Sequence, residues 1–285
     1  MSDGPGTSFD PRIVLRPRSL EETLDLALAY ARVHRKDFAR VLVLSVGVVM
    51  AGLVALKRQL DLPWEHVWLV ALAVTPILER IVTVYAGSHL FGNPAELRSG
   101  LVKIGKRLPL MLASAILISS PWLPMLATRF DDPFWIGVAT LQGSVWLFLI
   151  PRTLYFSQVA LLESQPTAAA WKRSWLLVSE RFGRAVGFTL TTLAIRLMVM
   201  YSAELIVRFV VSMLLQLGEP LDTLGDNRGS WAALVGWFAA AQLVALARLF
   251  DYVDARTRRE GWDIQVRFKA IAAKARQEQA RRIAA

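Results

Sequence analysis

Six blocks of mostly apolar residues, separated by shorter polar segments, constrain the fold of this 285-residue chain more than any other feature. An α-helix needs about 20 residues to span a hydrocarbon core of about 30 Å. A transmembrane β-barrel would instead show alternating segments of about ten residues. Because backbone groups in lipid must be hydrogen-bonded internally, the blocks predict an all-α integral membrane protein with six transmembrane helices. The predicted spans are residues 41–56, 67–91, 108–128, 133–162, 185–217 and 230–250.

Lys and Arg are distributed unevenly between the segments that flank these spans. The amino-terminal segment, the second and fourth connections and the carboxy-terminal segment together hold 24, whereas the other three connections hold 4. The positive-inside rule places the side with 24 in the cytoplasm, so we expect both termini there. The predicted organisation is a cytoplasmic segment (residues 1–40), a transmembrane domain (41–250) and a basic cytoplasmic tail (251–285).

Two cytoplasmic connections share a pattern that is typical of an amphipathic helix lying in the headgroup layer. In the later one, Thr167 follows Pro166 as the predicted N-cap, and Gly183 is placed to end or kink the helix. Apolar residues recur there at offsets 0, 4, 7 and 11, which predicts one stripe buried against lipid headgroups or against the other interfacial helix. The stripe consists of Trp171, Trp175, Val178 and Phe182.

The earlier connection has the same design, with Asn93 as the cap of a helix that enters the third span. The amino-terminal segment is a third copy, in which Ser19 and Glu22 predict a capping box. Three units of one interfacial helix and two spans would form a pseudo-threefold bundle. The alternative is that any basic loop entering a membrane helix looks amphipathic at its junction. The predicted apolar stripe of the third copy is Leu24, Leu28 and Ala31.

Charged residues also lie inside the predicted spans, where an isolated charge costs at least about 2.5 to 3.5 kcal/mol. Glu79 and Arg196 both lie about 16 to 18 Å from their span ends at a helical rise of about 1.5 Å, which predicts that they pair. Arg80 points about 100° away around its helix and needs another acceptor, whereas Glu204 and Arg208 are one turn apart and can pair locally. The Glu79 pair is either an ion pair that fixes packing or a substrate or proton site. The charged residues of the spans are Glu79, Arg80, Arg152, Arg196, Glu204 and Arg208.

The densest polar motif lies at the end of the last span. Its carboxylates and guanidiniums are spaced to pair at i and i+4 along a helix that continues until Gly261 breaks it. One interpretation is a docking surface for a cytoplasmic partner, and the other is a cap that locks the last span to the other cytoplasmic helices. The motif consists of Arg248, Asp251, Asp254, Arg258, Arg259 and Glu260.

Two of these segments resemble a known family. Residues 167–184, TAAAWKRSWLLVSERFGR, are similar to an "alkrSwrLvkgrfwr" segment, and residues 251–263, DYVDARTRREGWD, resemble a "yyDlRvRrEGfDle" ending. Both occur in bacterial six-helix membrane proteins related to the membrane domain of glycerophosphodiester phosphodiesterases. The resemblance implies a six-helix fold in the bacterial inner membrane. It implies no activity, because the phosphodiesterases attach a separate soluble catalytic domain for which this chain has no room.

No pattern in the sequence indicates a catalytic site, a cofactor or a metal centre. Cys is absent, the three His residues are scattered, and there is no glycine-rich phosphate loop. We expect a non-enzymatic protein whose basic loops meet anionic lipid headgroups and not nucleic acid. The main hypothesis is a structural or accessory component that organises lipids, or membrane or cytoplasmic protein partners, through its cytoplasmic helices. The alternative is a permease-like or lipid-handling protein that uses the intramembrane charges.

The charge asymmetry predicts where reporter fusions are active. Green fluorescent protein fused at Ala285 should fluoresce, and alkaline phosphatase fused after Leu221 should be active, because the basic segments hold their side in the cytoplasm. The reciprocal fusions at the same two positions are the controls. Alkaline phosphatase activity at Ala285 would contradict the predicted orientation.

Overall fold

The computed structural model describes residues 18–90, 105, 133–163, 165–217, 222–225 and 229–261. These residues are mostly helical, and none of them lies in a β-strand, so the all-α class is confirmed. A short π-helical segment, Val210–Leu214, extends the seventh helix. In chain order the helices are α1 (Leu20–Val33), α2 (Arg35–Leu60), α3 (Trp64–Leu90), α4 (Pro133–Arg152), α5 (Phe156–Leu162), α6 (Thr167–Ser179), α7 (Phe182–Phe209) and α8 (Trp231–Glu260).

Five helical segments within the described ranges are long and apolar enough to cross a membrane. The predicted span at residues 108–128 lies outside the described residues, as do the earlier amphipathic connection and the tail after Gly261, so the number six stays a prediction. The helix α2 extends beyond both ends of the predicted span at residues 41–56. The five segments are Arg35–Leu60, Trp64–Leu90, Gly143–Leu162, Phe182–Leu214 and Trp231–Glu260.

The predicted span at residues 133–162 is not one continuous helix, which corrects the prediction. α4 ends at Arg152, a turn follows, and α5 starts at Phe156. Pro151 lies one residue before the end of α4. The Ser174 hydroxyl of α6 donates to the Arg152 carbonyl at 3.0 Å and accepts from the Tyr155 N–H at 3.3 Å. A side chain from another helix thus satisfies backbone groups that the break leaves open.

The helix α1 starts as predicted but buries a different face. The capping box is confirmed, since Ser19 accepts from the Glu22 N–H and Glu22 accepts from the Ser19 N–H, each at 3.1 Å. Of the predicted stripe at residues 24, 28 and 31, Leu24 and Ala31 are partly buried against an apolar core and Leu28 is exposed. The fully buried side chains lie one position earlier, on the face of α1 that packs against α8. They are Thr23, Ala27 and Tyr30.

The helix α6 also differs from its predicted form. Its N-cap is Pro166, so Thr167 is the first helical residue and no side chain caps the helix. It ends at Ser179, before Gly183, and Phe182 already belongs to α7. Of the predicted stripe only Val178 is fully buried, whereas Trp171 and Trp175 are 40% and 39% exposed. The face that packs on the bundle consists of Ala170, Ser174, Leu177 and Val178.

The helix α8 is the centre of the described bundle. It packs against α7, α3, α1, α2 and α6, and its side chains are buried over most of its length. Two apolar cores surround it, which we call the first core, around Trp64 and Phe238, and the second core, around Phe188 and Leu249. The rings of Trp64 and Trp231 are 4.7 Å apart, which places the starts of α3 and α8 at the same end of the bundle.

The contact between α7 and α8 depends on a glycine. A Cβ atom at Gly236 would lie 2.7 Å from the Ala203 Cβ and 2.8 Å from the Val199 carbonyl oxygen. Both are closer than atoms in a packed interior approach one another, so the two helix backbones can approach this closely only because position 236 has no side chain.

We expect Gly236→Ala to destabilise the protein by about 1 to 3 kcal/mol, since the added methyl group overpacks this contact. Gly187→Ala on α7 is the matched control, because nothing lies within 4 Å of a Cβ there. That change should be neutral or stabilising by up to about 1 kcal/mol through helix propensity. Thermal unfolding in detergent measures both. Equal unfolding temperatures for the two variants would contradict this packing.

Candidate functional site

The polar motif at the end of α8 points into the protein and not into solvent. Asp251 and Asp254 are 0% and 1% exposed. Asp251 accepts a hydrogen bond from Arg184 of α7 at 2.8 Å and another from the Tyr155 hydroxyl at 2.6 Å. A buried carboxylate needs this degree of pairing because desolvation strongly disfavours an isolated charge.

Asp254 joins the same end of α8 to the start of α1. It accepts from the backbone N–H of Arg18 at 2.6 Å and from the Arg258 guanidinium at 3.0 Å, the predicted i, i+4 pair. Arg184 and Arg258 in turn donate to the Arg18 carbonyl at 2.7 and 2.8 Å. We call these groups the Asp251 network. It consists of Asp251, Asp254, Arg184, Arg258, Tyr155 and the backbone of Arg18.

A second cluster joins α8 to α6 and to the end of α5. Arg173 pairs with Glu163 and, at 2.6 Å, with Glu260. The Tyr252 hydroxyl donates to Glu163 at 2.5 Å, and Arg256 pairs with Glu260 at 3.0 Å. Burial lowers the pKa of the Arg173 guanidinium, but its hydrogen bond to Glu163 and the charges of Glu163 and Glu260 outweigh burial and raise that pKa above its ordinary value. We call this group the Glu163 cluster.

Together these contacts favour one of the two interpretations of the polar motif. Its acids bind α1, α5, α6 and α7 through arginines and a tyrosine. Arg259, too, donates to the Leu176 carbonyl of α6 and lies 3.5 Å from Glu180. The motif therefore locks the last helix to its neighbours.

The intramembrane charges come together at a different level. Glu79 of α3 pairs with Arg196 of α7, the contact that the matching depths predicted, and also with Arg248 of α8 at 2.5 Å. The second contact was not anticipated, because Arg248 was grouped with the polar motif that follows it. Arg248 is three residues, or about 4.5 Å, from Asp251 along α8, so its long side chain reaches deeper into the bundle. We call these three residues the Glu79 triad.

The Glu79 triad belongs to a polar layer between the two apolar cores. Leu78 packs in the first core and Val82 in the second, so the polar layer crosses α3 at Glu79. Gln242 of α8 is fully buried and donates to the Ser45 hydroxyl of α2 at 2.6 Å. Four helices, α2, α3, α7 and α8, thus contribute polar side chains. The polar layer consists of Ser45, Glu79, Arg196, Gln242 and Arg248.

The other predicted charges occupy separate places. Arg80 is buried and follows Glu79 directly along α3. Its guanidinium interacts electrostatically with Glu79 and Arg248. The Arg152 guanidinium lies over the Trp175 ring, 4.3 Å from its centre, at the surface of α6. Glu204 accepts from the Leu224 N–H at 2.7 Å, and its pairing with Arg208 stays a prediction.

Tertiary structure also joins two histidines that the sequence separates. The rings of His34, between α1 and α2, and His89, near the end of α3, are 5.8 Å apart. The Tyr30 ring lies 4.5 Å from the His34 ring, and the Tyr85 ring lies 4.7 Å from the His89 ring. No spacing signal in the sequence could have found this contact. Within the described ranges, no group of three or more His, Cys, Asp or Glu side chains is arranged to hold a metal ion.

Comparison with known proteins gives no match to a family model, to a curated protein or to a solved structure. The resemblance to the glycerophosphodiester phosphodiesterase membrane domain therefore stays a prediction from the two segments that carry it.

Asp251→Asn should lower the free energy of unfolding by about 3 kcal/mol, because it leaves the half-buried Arg184 without its main counter-charge. The matched control is Asp37→Asn, whose pair with Arg40 is exposed. That change should alter stability by at most about 0.5 kcal/mol. Thermal unfolding in detergent compares the two. An unchanged unfolding temperature for Asp251→Asn would show that the Asp251 network does not hold the helices together.

Proposed function

We propose that this chain is a non-enzymatic protein of the bacterial inner membrane with a structural or accessory role. In this proposal it has six spans and cytoplasmic termini, and it organises anionic lipids of the cytoplasmic leaflet through α6. The observation that carries the proposal is the outer face of α6, where apolar and cationic side chains stay exposed on a helix whose inner face is fixed. That face consists of Trp171, Lys172, Trp175 and Leu176.

The composition of this face fits the boundary between headgroups and acyl chains. Tryptophan is enriched at membrane interfaces because its ring is apolar and its indole N–H is polar. Leu176 adds apolar area, and Lys172 extends a cation that attracts phosphate groups of anionic lipids, a contribution of about 1 kcal/mol for each basic residue near the surface. A cluster of exposed apolar side chains of this size is typical of a surface that contacts lipid or another protein and not of a helix surrounded by water.

The rest of the bundle holds α6 in place. Ser174 bonds to the turn between α4 and α5, and Arg173 joins Glu163 and Glu260. The Leu176 carbonyl accepts a hydrogen bond from Arg259, so the end of α8 also binds α6. A helix fixed in this way presents its outer face with little loss of conformational entropy when lipid binds, which suits an organising role.

The permease-like or lipid-handling alternative rests on a different observation. The polar layer contains a paired acid and two arginines inside the candidate spans, where such residues mark substrate or ion pathways in transporters. We keep it as the second proposal. The accessory role is preferred because the Asp251 network and the Glu163 cluster fix the helices at one end of the bundle, whereas alternating access requires groups of helices to move.

Site-directed spin labelling tests the position of α6 directly, since the chain contains no Cys and any single Cys is unique. A label at Leu176→Cys in phosphatidylglycerol vesicles should collide more with oxygen than with a water-soluble nickel complex. A label at the exposed Leu205 of α7 is the lipid reference, and one at the exposed Glu180 is the aqueous reference. Nickel accessibility at position 176 equal to that at 180 would contradict the proposal.

The lipid-organising role needs a second measurement. Wild-type protein extracted in native polymer discs should be enriched in phosphatidylglycerol over the bulk membrane. A triple variant, Trp171→Ser, Lys172→Gln and Trp175→Ser, should lose this enrichment. Equal lipid composition around the two proteins, with both correctly folded, would leave α6 at the interface but remove the organising role.

A further inference from the structure

We propose that the polar layer binds a phosphate group through Arg196 and Arg248. The inference concerns the interior of the bundle and is independent of the lipid-facing surface of α6. It rests on the charge of the polar layer, on hydrogen-bonding groups left open there, and on the absence of another acid in the sequence of the spans.

The charges at this level do not balance. Glu79 is one carboxylate between the guanidiniums of Arg196 and Arg248. Two guanidiniums against one carboxylate leave an excess of one positive charge among these three residues. In a low-dielectric interior such an excess is costly unless an anion accompanies it.

The predicted spans contain no acid that could supply this anion. Their only carboxylates are Glu79 and Glu204. Glu204 is eight residues beyond Arg196 on α7, or about 12 Å along the helix, and it binds the Leu224 N–H. The predicted span at residues 108–128, which lies outside the described ranges, has no ionisable residue. Among the residues that the structure describes, Glu79 is the only carboxylate that pairs with Arg196 or Arg248, so we assign the remaining negative charge at this depth to a bound anion.

Unused hydrogen-bonding groups indicate where the anion binds. Glu79 takes one nitrogen of Arg196 and one of Arg248, whereas each guanidinium has five N–H donors. Within the described residues, the buried Arg248 Nε has no hydrogen-bond partner, and neither does the Oε1 atom of the fully buried Gln242. The side chains of Arg196 and Arg248 keep 13% and 19% exposure, so an additional ligand can reach them.

Phosphate fits these groups by charge and by shape. A phosphate group carries at least about one negative charge near neutral pH, which offsets the excess of one positive charge. Its oxygens suit the planar fork of arginine, which binds phosphate with two parallel hydrogen bonds. The phosphate comes either from a small soluble molecule or from the headgroup of a lipid.

The test measures phosphate binding to the full-length protein, with the two sources in separate arms. In detergent, the protein is titrated with inorganic phosphate at constant ionic strength, and binding is followed by calorimetry and by the unfolding temperature. In nanodiscs, phosphatidic acid replaces part of the phosphatidylcholine. Saturable binding in the first arm identifies a soluble phosphate, and stabilisation in the second arm alone identifies a lipid headgroup.

Three kinds of variant are expected to weaken, strengthen or leave unchanged the affinity for phosphate. Arg196→Gln and Arg248→Gln should each weaken phosphate binding by about tenfold or more, since each removes one guanidinium. Glu79→Gln should strengthen binding by about tenfold, because it removes the competing carboxylate and frees both arginines. Arg208→Gln, at an exposed position on α7, is the matched control and should leave affinity unchanged.

The opposite changes in phosphate affinity expected for Glu79→Gln and for the arginine variants distinguish ligand binding from a purely structural ion pair. A structural pair predicts that Glu79→Gln and the arginine variants all destabilise the protein and that phosphate has no specific effect on any of them. If a glutamine variant does not fold, Arg196→Lys and Arg248→Lys keep the charge but lose the fork, and about threefold weaker binding is expected. The proposal is overturned by no saturable binding to the wild-type protein in either arm, or by equal affinity in the wild type and the folded arginine variants.

Discussion

The burial of two carboxylates at the end of α8 is the constraint on which the rest of the described structure depends. Asp251 and Asp254 are taken out of solvent, and only close cationic partners make that tolerable. The Arg184 guanidinium at the start of α7 binds Asp251, and the backbone N–H of Arg18, just before α1, binds Asp254. Satisfying two acids therefore fixes the relative position of three helices, and the neighbouring Glu163 cluster extends the same effect to α5 and α6.

Polar groups in this bundle are divided between two levels that differ in charge balance. At the end of α8, acids and arginines alternate and bind one another, as expected for a structural lock. One turn deeper, the polar layer holds a single carboxylate between two guanidiniums. The first level explains how the helices stay together. The second level has more positive charge than packing requires, and this difference is why a ligand is sought there and not in the Asp251 network.

Small residues allow both levels to form on one central helix. Gly236 lets α7 approach the backbone of α8, and the alanines that follow it let the other helices surround α8. The inner face of α6 consists of Ala170, Ser174, Leu177 and Val178, which leaves Trp171 and Trp175 on its outer face. A fixed helix with exposed aromatic residues is the basis of the proposed lipid contact.

The sequence by itself determined the helical class, the capping box at Ser19, the end of α8 before Gly261 and the pairing of Glu79 with Arg196. These follow from local or one-dimensional physics: hydrophobic length, backbone capping and depth along a helical rise. Tertiary structure alone decided that Arg248 joins Glu79, which faces of α1 and α6 pack on the bundle, and that Ser174 of α6 binds the turn after Arg152. Apolar periodicity shows which residues avoid water, but lipid and protein are both apolar neighbours. Only the packed arrangement of the helices therefore decides which apolar face contacts protein and which contacts lipid.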